Sequence, residues 1–224
     1  MTPEKIVLSW SSGKDSAWAL SALRARRDVE VVGLLSTINA DADRVAMHAV
    51  RRELLEAQAR ATGLPLRTVL LPEACSNEEY EARMGEAVLR ERARGVTAFA
   101  FGDLFLEDVR RYREEKLAAV GMRALFPLFG RDTRALAREM VAAGLRAIIT
   151  CVDTRALDRS FVGRAYDDAL LDALPPGVDP CGENGEMHTF VVAGPMLDRA
   201  LSVRVGEIVE RGPFVFADLI EVPG

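Results

Sequence analysis

The sequence predicts an α/β protein: an open, mostly parallel sheet with helices on both faces, followed by a smaller C-terminal α+β region. Two observations support this class. Short apolar runs alternate with helical segments up to about residue 153, which is typical of parallel sheets covered by helices. Beyond it, two β-rich stretches, 201–209 and 214–222, are joined like a hairpin. We therefore divide the chain into a first domain, 1–130, and a smaller α+β domain, 131–224, that closes over the carboxyl ends of the sheet.

In the first domain, periodicity and helix-terminating residues define each element. Met47, Val50 and Leu54 recur in steps of three and four, which indicates a helix packed on the sheet. Gly63 ends this helix, and Ser76 begins the next as the first residue of a capping box. The predicted order is strand 5–10, helix 15–27, strand 29–35, a long helix ending at 62, strand 66–71, a helix up to 94, strand 96–101, helix 107–120 and strand 123–129.

The second domain begins with a helix that Asp132 caps and Gly144 ends. A strand over 145–152 and a helix near 165–174 follow. A glycine-rich run, 181–186, then precedes the β-rich end of the chain.

Composition limits the classes of protein to consider. With 224 residues, 49% of them hydrophobic and 28% charged, the chain has an ordinary globular composition. Its net charge of −5 gives no electrostatic reason to expect nucleic acid or an anionic membrane as partner. No apolar run approaches the ~18 residues of a membrane span, and we see no signal peptide. Three separated cysteines predict neither a disulfide framework nor a zinc site, so we expect a cytoplasmic protein.

The most informative stretch is residues 8–16, where an apolar strand breaks into small residues and a helix begins. Such a junction forms an anion site, because the first N–H groups of a helix lack intrahelical partners and the helix dipole adds positive charge there. Gly13 permits close approach of the backbone, Lys14 can supply countercharge, and Asp15 could hold a magnesium ion carried by a polyphosphate. We predict phosphate binding by Ser11, Ser12, Gly13, Lys14, Asp15 and Ser16.

This loop differs from a Walker P-loop, since Asp15 separates Lys14 from Ser16 and no earlier glycine stands at the required offset. Asp15 and Ser16 are also good N-caps. A capped helix without a ligand is therefore the alternative interpretation.

A second loop follows the strand that ends near residue 35. If phosphate lies at residues 11–16, the backbone of Leu35, Ser36 and Thr37 lies where adenine would be recognised by main-chain groups. His48 follows on the first turn of the next helix and is a second candidate contact to the nucleotide. The alternative is a partly exposed histidine with no special role.

A third loop begins with Gly102 and Asp103, at the end of the predicted fourth strand. Asp103 is well placed to share a magnesium ion with Asp15. Asp103 could equally be a turn residue or a helix N-cap, which are common uses of aspartate.

The fourth loop is residues 181–190. Glu183 and Glu186 are three apart and bracketed by glycines, which suits a tight turn that points carboxylates into a cleft, and His188 follows directly. General-base catalysis, ammonium capture or metal binding would all use such a set. The alternative is a loop that only meets solvent. Cys181, a single thiol, is more typical of a small buried residue than of sulfur chemistry.

Taken together, residues 11–16, Gly102-Asp103 and the run 181–190 resemble the diphthine–ammonia ligase family of ATP-binding proteins, in the adenine nucleotide alpha-hydrolase-like superfamily. The first loop is similar to the Ser-Gly-Gly-x-Asp-Ser PP-loop of ATP pyrophosphatases, and Cys-Gly-Glu-x-Gly-Glu followed by Thr-Phe is the most specific part. The resemblance covers nearly the whole chain and implies a Rossmann-like fold. Ser12 stands where glycine is usual, and a serine fits this position if its backbone φ is below zero. Met187 stands where an aromatic residue is common.

The resemblance implies an ATP-dependent amidation. A substrate carboxylate attacks the α-phosphate of ATP to give an acyl-adenylate and pyrophosphate, and ammonia then displaces AMP. The implied cofactors are ATP and Mg²⁺, with Asp15 and Asp103 as metal ligands. Catalytic roles fall to Asp103, Glu183, Glu186 and His188, and Gly102 and His48 join the nucleotide-binding set.

The expected partners are ammonium and a carboxylate that is either a small molecule or carried by a protein. The substrate known for the family is a modified histidine on a translation factor. The residues after Asp103 look like the bacterial branch, where that modification is not expected, so both diphthine and a different carboxylate stay open as substrates. A homodimer is compatible with the sequence, and nucleic acid and membrane are not expected partners.

Two other functions stay open. One is another ATP pyrophosphatase chemistry, such as thiolation of RNA, against which the missing cysteine pair and the acidic charge argue. The other is a non-enzymatic ATP sensor, in which the paired carboxylates of the tail would have no evident purpose.

Overall fold

The computed structural model describes residues 2–45, 50–72 and 74–222. The main sheet and its helices come first along the chain. These elements are β1 (Glu4–Ser9), α1 (Lys14–Arg24), β2 (Val29–Asn39), β3 (Arg44–Val45), α2 (Arg52–Thr62), β4 (Leu66–Leu71), α3 (Asn77–Ala93), β5 (Ala98–Ala100), α4 (Glu107–Ala118) and β6 (Arg123–Leu125).

The remaining elements build a second, smaller sheet. They are α5 (Thr133–Ala142), β7 (Arg146–Asp153), a 3₁₀ turn (Arg159–Phe161), α6 (Asp168–Ala173), β8 (Met187–Ala193), β9 (Val203–Arg211) and β10 (Phe214–Glu221). Of the helices in the described ranges, none is long and apolar enough to cross a membrane.

The main sheet is mostly parallel, as predicted. Strand β1 lies between β2 and β5, β4 pairs with β2 and β6 with β5, and all four pairings are parallel. Strand β3 adds a short antiparallel pairing at the end of β2. Along β1, Ile6 and Leu8 enter one hydrophobic core and Val7 enters the other, because successive side chains of a strand point to opposite faces. Helices α1 and α2 contribute to the first core and α3 and α4 to the second, so both faces are covered.

The second sheet has the order β8-β7-β10-β9 and is antiparallel throughout. Strand β7 follows a helix in the same rhythm as the earlier strands but does not join the parallel sheet. The predicted hairpin at the end of the chain is confirmed, since Phe214 pairs with Arg211 and Glu221 with Val203. The two sheets fall within the predicted parts 1–130 and 131–224, and the division into two domains stays a prediction.

Two predicted strands end four residues away from their predicted last residue. The strand predicted over 123–129 ends at Leu125, because residues 126–130 turn, with Gly130 at φ +78° donating its N–H to the Leu104 carbonyl. The strand predicted to end at Leu35 runs on to Asn39, because residues 34–39 all pair with β4. The described part of the next helix begins at Arg52, and Met47 of the predicted stripe lies outside the described residues.

The second sheet lies directly against the first loop of the chain. The Val191 N–H donates to the Ser12 carbonyl at 3.1 Å. The Lys14 N–H, at the start of α1, donates to Thr189 Oγ1 at 3.0 Å. Strand β8 therefore supports the loop that follows β1, although the two are far apart in sequence.

Candidate active site

The loop between β1 and α1 is held by its own hydroxyl groups. The Gly13 N–H donates to Ser11 Oγ at 3.3 Å, and Ser16 Oγ donates to the Gly13 carbonyl at 3.0 Å. The two hydroxyls lie 3.1 Å apart. Gly13 is the N-cap of α1 and has no side chain to cap the helix. The N-terminus of α1 lies beside Gly102 at the end of β5, where an anion site is expected, and Thr189 already accepts one of its N–H groups, that of Lys14.

Ser12 corrects one expectation. A φ below zero was expected for a serine at this position, but Ser12 has a φ of +68°. This left-handed conformation favours glycine, because Cβ approaches the following carbonyl. The side chain is fully buried, and its Oγ has no hydrogen-bond partner in the described part of the chain. The loop keeps the backbone shape of a glycine at a position that carries a serine.

Ser12→Gly should therefore stabilise the protein. Glycine removes about 1–2 kcal/mol of left-handed strain and an unpaired buried hydroxyl, against about 0.5–1 kcal/mol of added chain entropy. We expect a gain of about 1 kcal/mol, or a melting temperature about 2–4 °C higher for a protein of this size. Ser12→Ala removes only the hydroxyl and should gain less. A lower melting temperature for Ser12→Gly would contradict the inference that the backbone of Ser12 is strained.

Lys14 is bound to the tail of the chain. Its side chain is 2% exposed, and Nζ lies 2.9 Å from Asp15 Oδ2. Nζ also donates to the Cys181 carbonyl and lies 5.6 Å from the centre of the Tyr166 ring. Burial is the largest influence and opposes the charge, but the combined attraction of Asp15, Cys181 and Asp179 outweighs it and the pKa of Lys14 is raised. The predicted countercharge thus borders the site with its ammonium already paired.

Asp15 and Asp103, the predicted metal ligands, line one cavity with different partners. Asp15 Oδ1 is buried without a hydrogen-bond partner in the described ranges, and burial raises the pKa of this carboxyl. Asp103 instead forms an ion pair with Arg113, with Oδ2 3.0 Å from Nε. No group of three or more His, Cys, Asp or Glu residues that could hold a metal occurs among the described residues. Of these two carboxylates, Asp103 is held in its ion pair, and Asp15 Oδ1 is the oxygen with no polar partner in the described part of the chain.

Gly102 brings the end of β5 against the first loop. A Cβ on Gly102 would lie 2.8 Å from the Asp15 carbonyl carbon and 2.9 Å from the Ser16 nitrogen. Any side chain would therefore push the loop away. Gly102 lets the two strand ends meet.

Glu183 points into the site. Its Oε1 accepts from the Leu104 N–H at 2.7 Å, and its own N–H donates to Asp179 Oδ2 at 2.9 Å. Burial raises the pKa of Glu183 to about 7, and the nearby Asp15 and Asp103 add to the shift. A carboxyl group with this pKa can exchange a proton near neutral pH, which suits general acid–base catalysis.

Glu186 has a different position from the one expected. Its carboxylate is buried and bound by its own loop: Oε1 accepts from the Asp179 N–H at 3.1 Å, and Oε2 from the Asn184 N–H at 3.0 Å. It is not among the residues that line the cavity. The expectation that both carboxylates point into a cleft therefore holds for Glu183 only, because the turn uses Glu186 to satisfy its own N–H groups.

His188, on β8, borders the same cavity. Burial lowers the pKa of His188 to about 4, and repulsion by Lys14 contributes. The imidazole is therefore neutral near pH 7 and carries both a donor and an acceptor nitrogen. It suits hydrogen bonding to a substrate better than charge stabilisation.

One cavity of about 300 Å³ brings most of the predicted residues together. The side chains from three loops converge on it, while Ser12, Gly13 and Glu186 stay outside its lining. Its lining includes Ser9, Ser11, Lys14, Asp15, Ser16, Phe101, Gly102, Asp103, Arg113, Cys181, Glu183, His188 and Thr189. Phosphate-loop groups, a carboxylate with a pKa near 7 and a neutral histidine thus share one chamber.

The residues predicted as an adenine loop, 35–37, belong instead to strand β2 and border an adjoining cavity of about 420 Å³. Leu35, Ser36 and Thr37 line it, and it shares Ser9, Ser11 and Arg113 with the first chamber. Ser36 Oγ is turned inward and donates to the Trp10 carbonyl at 2.5 Å. His48 lies outside the described residues, so its predicted contact stays a prediction.

Two important residues were not predicted. Arg113 of α4 borders both chambers, and nothing in the basic run 110–113 distinguishes it from its neighbours. Gln58 of α2 is fully buried; it accepts from Trp10 Nε1 at 2.8 Å and donates to the carbonyls of Ser12 at 3.1 Å and Val191 at 2.7 Å. The sequence did contain a signal for Gln58, since a glutamine stands in the apolar stripe of that helix.

The pKa of Glu183 predicts how stability depends on pH. The folded state binds the Glu183 proton more tightly than the unfolded state, whose reference pKa is 4.5 against about 7 in the fold. The native state thus holds more protons between these pH values, so this group's contribution falls as pH rises through that window. Glu183→Gln should raise the melting temperature more at pH 8 than at pH 5. Glu207→Gln, at an exposed position, is the control, and equal shifts at both pH values would contradict the raised pKa.

The fold and the loop define the class: an α/β protein whose loop after the first strand is similar in sequence to a PP-loop. Comparison with known proteins narrows this class. Residues 4–124 match the family model described as diphthamide synthase N-terminal domain, and residues 132–216 match the diphthamide synthase C-terminal domain. The chain belongs to the diphthamide synthase family.

Curated relatives support the same assignment. The chain is 28% identical over 229 residues to the diphthine–ammonia ligase of Danio rerio, covering 92% of this chain and 89% of the relative. It is 26% identical over 231 residues to the diphthine–ammonia ligase of Rattus norvegicus, with 92% and 85% covered. The match to the Homo sapiens protein of that name is 28% over 149 residues and spans 55% of that relative. The predicted resemblance is confirmed, as is the prediction of an ATP-dependent ligase.

Proposed function

We propose that this ligase activates a substrate carboxylate as an acyl-adenylate and transfers the acyl group to ammonia. One observation carries the proposal: the chamber beside the phosphate loop also contains Glu183, whose pKa is about 7. A phosphate loop alone would suit any nucleotide-binding protein. A half-buried carboxylate beside it can attract an ammonium ion and remove its proton.

The proposed reaction has two steps, adenylation of the carboxylate and attack by ammonia. A carboxylate oxygen of the substrate attacks the α-phosphorus of ATP, and the bond to the β-phosphate breaks to release pyrophosphate. Ammonium then gives a proton to Glu183, and the resulting ammonia attacks the acyl carbon. The carbonyl re-forms as AMP leaves, and the nitrogen loses a further proton to give the neutral amide.

The residues present also fit a magnesium ion. Mg²⁺ prefers oxygen ligands and is usually held by one or two carboxylates together with substrate phosphates. The unpartnered Asp15 Oδ1 is such an oxygen, and Asp103 borders the same chamber. When bound, Mg²⁺ neutralises charge on the polyphosphate. Asp15→Ala should weaken magnesium-dependent ATP binding in calorimetry.

The other predicted residues receive supporting roles in this proposal. Ser11, Ser16 and the N-terminal turn of α1 hold the phosphates, and the backbone at 35–37 holds adenine. His188 hydrogen-bonds the substrate as a neutral imidazole. Glu186 positions Glu183 by fixing the turn, in place of the catalytic role expected from the sequence. Because the curated relatives are named diphthine–ammonia ligases, diphthine on a protein is the first carboxylate to test.

The alternative of sulfur transfer has less support. Burial raises the pKa of Cys151 and of Cys181 to about 12, so neither thiol is ionised near neutral pH. Thiolate is the reactive form of cysteine.

Isotope transfer gives a direct test. The protein is incubated with ATP, Mg²⁺, ¹⁵N-ammonium and a diphthine-bearing protein whose carboxylate carries ¹⁸O. We expect AMP and pyrophosphate as products, ¹⁸O in the AMP and ¹⁵N in the new amide. ADP as the main product would contradict adenylation. AMP formation that does not depend on ammonium would contradict the second step.

A further inference from the structure

A third cavity adjoins the phosphate chamber and differs from it in character. It has a volume of about 300 Å³ and lies between α3 and α4 over the end of β5. Aliphatic and aromatic side chains form most of its wall: Leu35, Tyr80, Met84, Val88, Phe99, Phe101, Tyr112, Leu117 and Val120. It shares Ser9, Phe101 and Arg113 with the phosphate chamber. A ligand in this cavity could therefore extend one end towards the phosphates.

The charges of this α3–α4 cavity are unevenly distributed. Lys116 and Glu81 also border it, but they neutralise each other in an ion pair of 2.7 Å. Arg113 lies where the two chambers meet, with its guanidinium carbon 4.3 Å from the centre of the Phe101 ring. Its Nε and Nη2 face Asp103, and its Nη1 makes no hydrogen bond to the described part of the protein. Arginine can bind a carboxylate with the donors that remain.

Gly85 indicates that the cavity is kept open. It lies inside α3 and lines the cavity, and a Cβ added there would meet nothing within 4 Å. Its φ is not in the left-handed range, so neither backbone conformation nor crowding requires glycine. Glycine in a helix interior nevertheless lowers helix stability relative to alanine. We infer that Gly85 preserves the open space of this cavity, which a larger side chain would fill.

We propose that the α3–α4 cavity binds the apolar body of the carboxylate substrate, with the carboxylate paired to Arg113 at the phosphate chamber. Ser36 and Thr37, two of the three residues expected to hold adenine, line the adjoining cavity of about 420 Å³ and not this one, although Leu35, Tyr80 and Met84 border both. The α3–α4 cavity beyond this shared edge is therefore available to the second substrate. One water molecule takes up about 30 Å³ in the liquid. The cavity of about 300 Å³ therefore has room for an apolar body of roughly ten heavy atoms. This inference rests on the proposed function, and it adds the substrate's shape and orientation.

The test measures carboxylate binding without ATP, so that it does not depend on ligase activity. Octanoate and 3-phenylpropionate are titrated into the full chain by calorimetry, with 3-phenylpropanamide as the uncharged analogue and acetate as the analogue without an apolar body. We expect both probes to bind at least tenfold more tightly than either analogue. If neither probe binds, or if acetate binds as tightly, the inference is wrong.

Two variants locate the binding. Gly85→Leu should fill the cavity while raising the melting temperature, and it should weaken both probes at least tenfold. Arg113→Met should weaken the carboxylates at least tenfold but leave the amide analogue unchanged. Gly85→Ala should bind the probes nearly as well as wild type, which serves as the control. Probe binding that survives Gly85→Leu would overturn the assignment.

Nucleotide binding separates this inference from the proposed function. ATP affinity should stay within about twofold in Gly85→Leu, and adenosine should not compete with octanoate. Competition by adenosine would assign the cavity to the base and overturn the inference. Probe binding in a protein that releases no AMP would instead contradict the proposed function while leaving the carboxylate site in place.

Discussion

Replacing Glu183 with glutamine should lower amide formation by about 100-fold or more, the range expected when a general base is lost. Glutamine keeps the size of the side chain and the oxygen that accepts from the Leu104 N–H. It cannot accept a proton from ammonium. ATP affinity should change by no more than a few-fold, because the proposed phosphate site is residues 11–16 and does not include Glu183. The measurement is single-turnover formation of ¹⁵N-amide beside calorimetric binding of ATP.

Two comparisons make this result specific. Glu207→Gln makes the same chemical change at an exposed position of β9 and should leave turnover unchanged. Glu186→Gln should lower stability as well as turnover, because its two oxygens accept from three donors of the turn, the Asp179 N–H, the Asn184 N–H and Asn184 Nδ2. If Glu183→Gln keeps turnover within threefold, Glu183 is not the base. If it loses ATP binding instead, the carboxylate belongs to the nucleotide site.

Gln58→Met should be strongly destabilising, by about 3 kcal/mol. Methionine has a similar size, so the packing is preserved, but the Trp10 indole N–H loses its acceptor and the Ser12 and Val191 carbonyls each lose a donor. Leaving a buried polar group unpaired costs about 1–3 kcal/mol. For a protein of this size the melting temperature should fall by about 10 °C. Chemical denaturation gives the free energy of unfolding directly.

A double-mutant cycle tests whether the indole is the main partner. Trp10→Phe removes the indole N–H, so the double variant with Gln58→Met should cost less than the sum of the single variants. Arg60→Met places methionine at an exposed position of the same helix and should change stability by no more than about 0.5 kcal/mol. Additive costs in the cycle would show that the hydrogen bond between Trp10 and Gln58 is not important.

Local patterns were sufficient to predict most of the fold. Strand 66–71 was predicted with its observed bounds, and Gly63 ends α2 with a φ of +72°, as helix-ending chemistry requires. The Asp132 side chain caps α5 by accepting from the Ala135 N–H. The membership of β7 in a separate antiparallel sheet could not be predicted in the same way. Strand β7 joins that sheet by pairing with β8 and β10, and both of these strands lie dozens of residues further along the chain.

The candidate site was predictable where chemistry is local and unpredictable where it depends on contacts. The strand–loop–helix arrangement of residues 11–16 and the position of Gly102 at a strand end were predicted correctly, because a strand end and a helix start are visible in sequence. The different positions of Glu183 and Glu186 could not be seen, because two glutamates in one turn look alike until their hydrogen bonds are known. Arg113 was missed for a related reason: its importance comes from the point where α4 meets the ends of β1 and β5.

The hydrogen bonds from β8 to the first loop have a consequence for biosynthesis. Lys14 and Thr189 are 175 positions apart, and Val191, which donates to Ser12, comes later still. A ribosome therefore translates most of the message before the loop can take its final shape. The nascent first sheet would emerge without these two hydrogen bonds to its loop, and we expect ATP to bind only once β8 has been added.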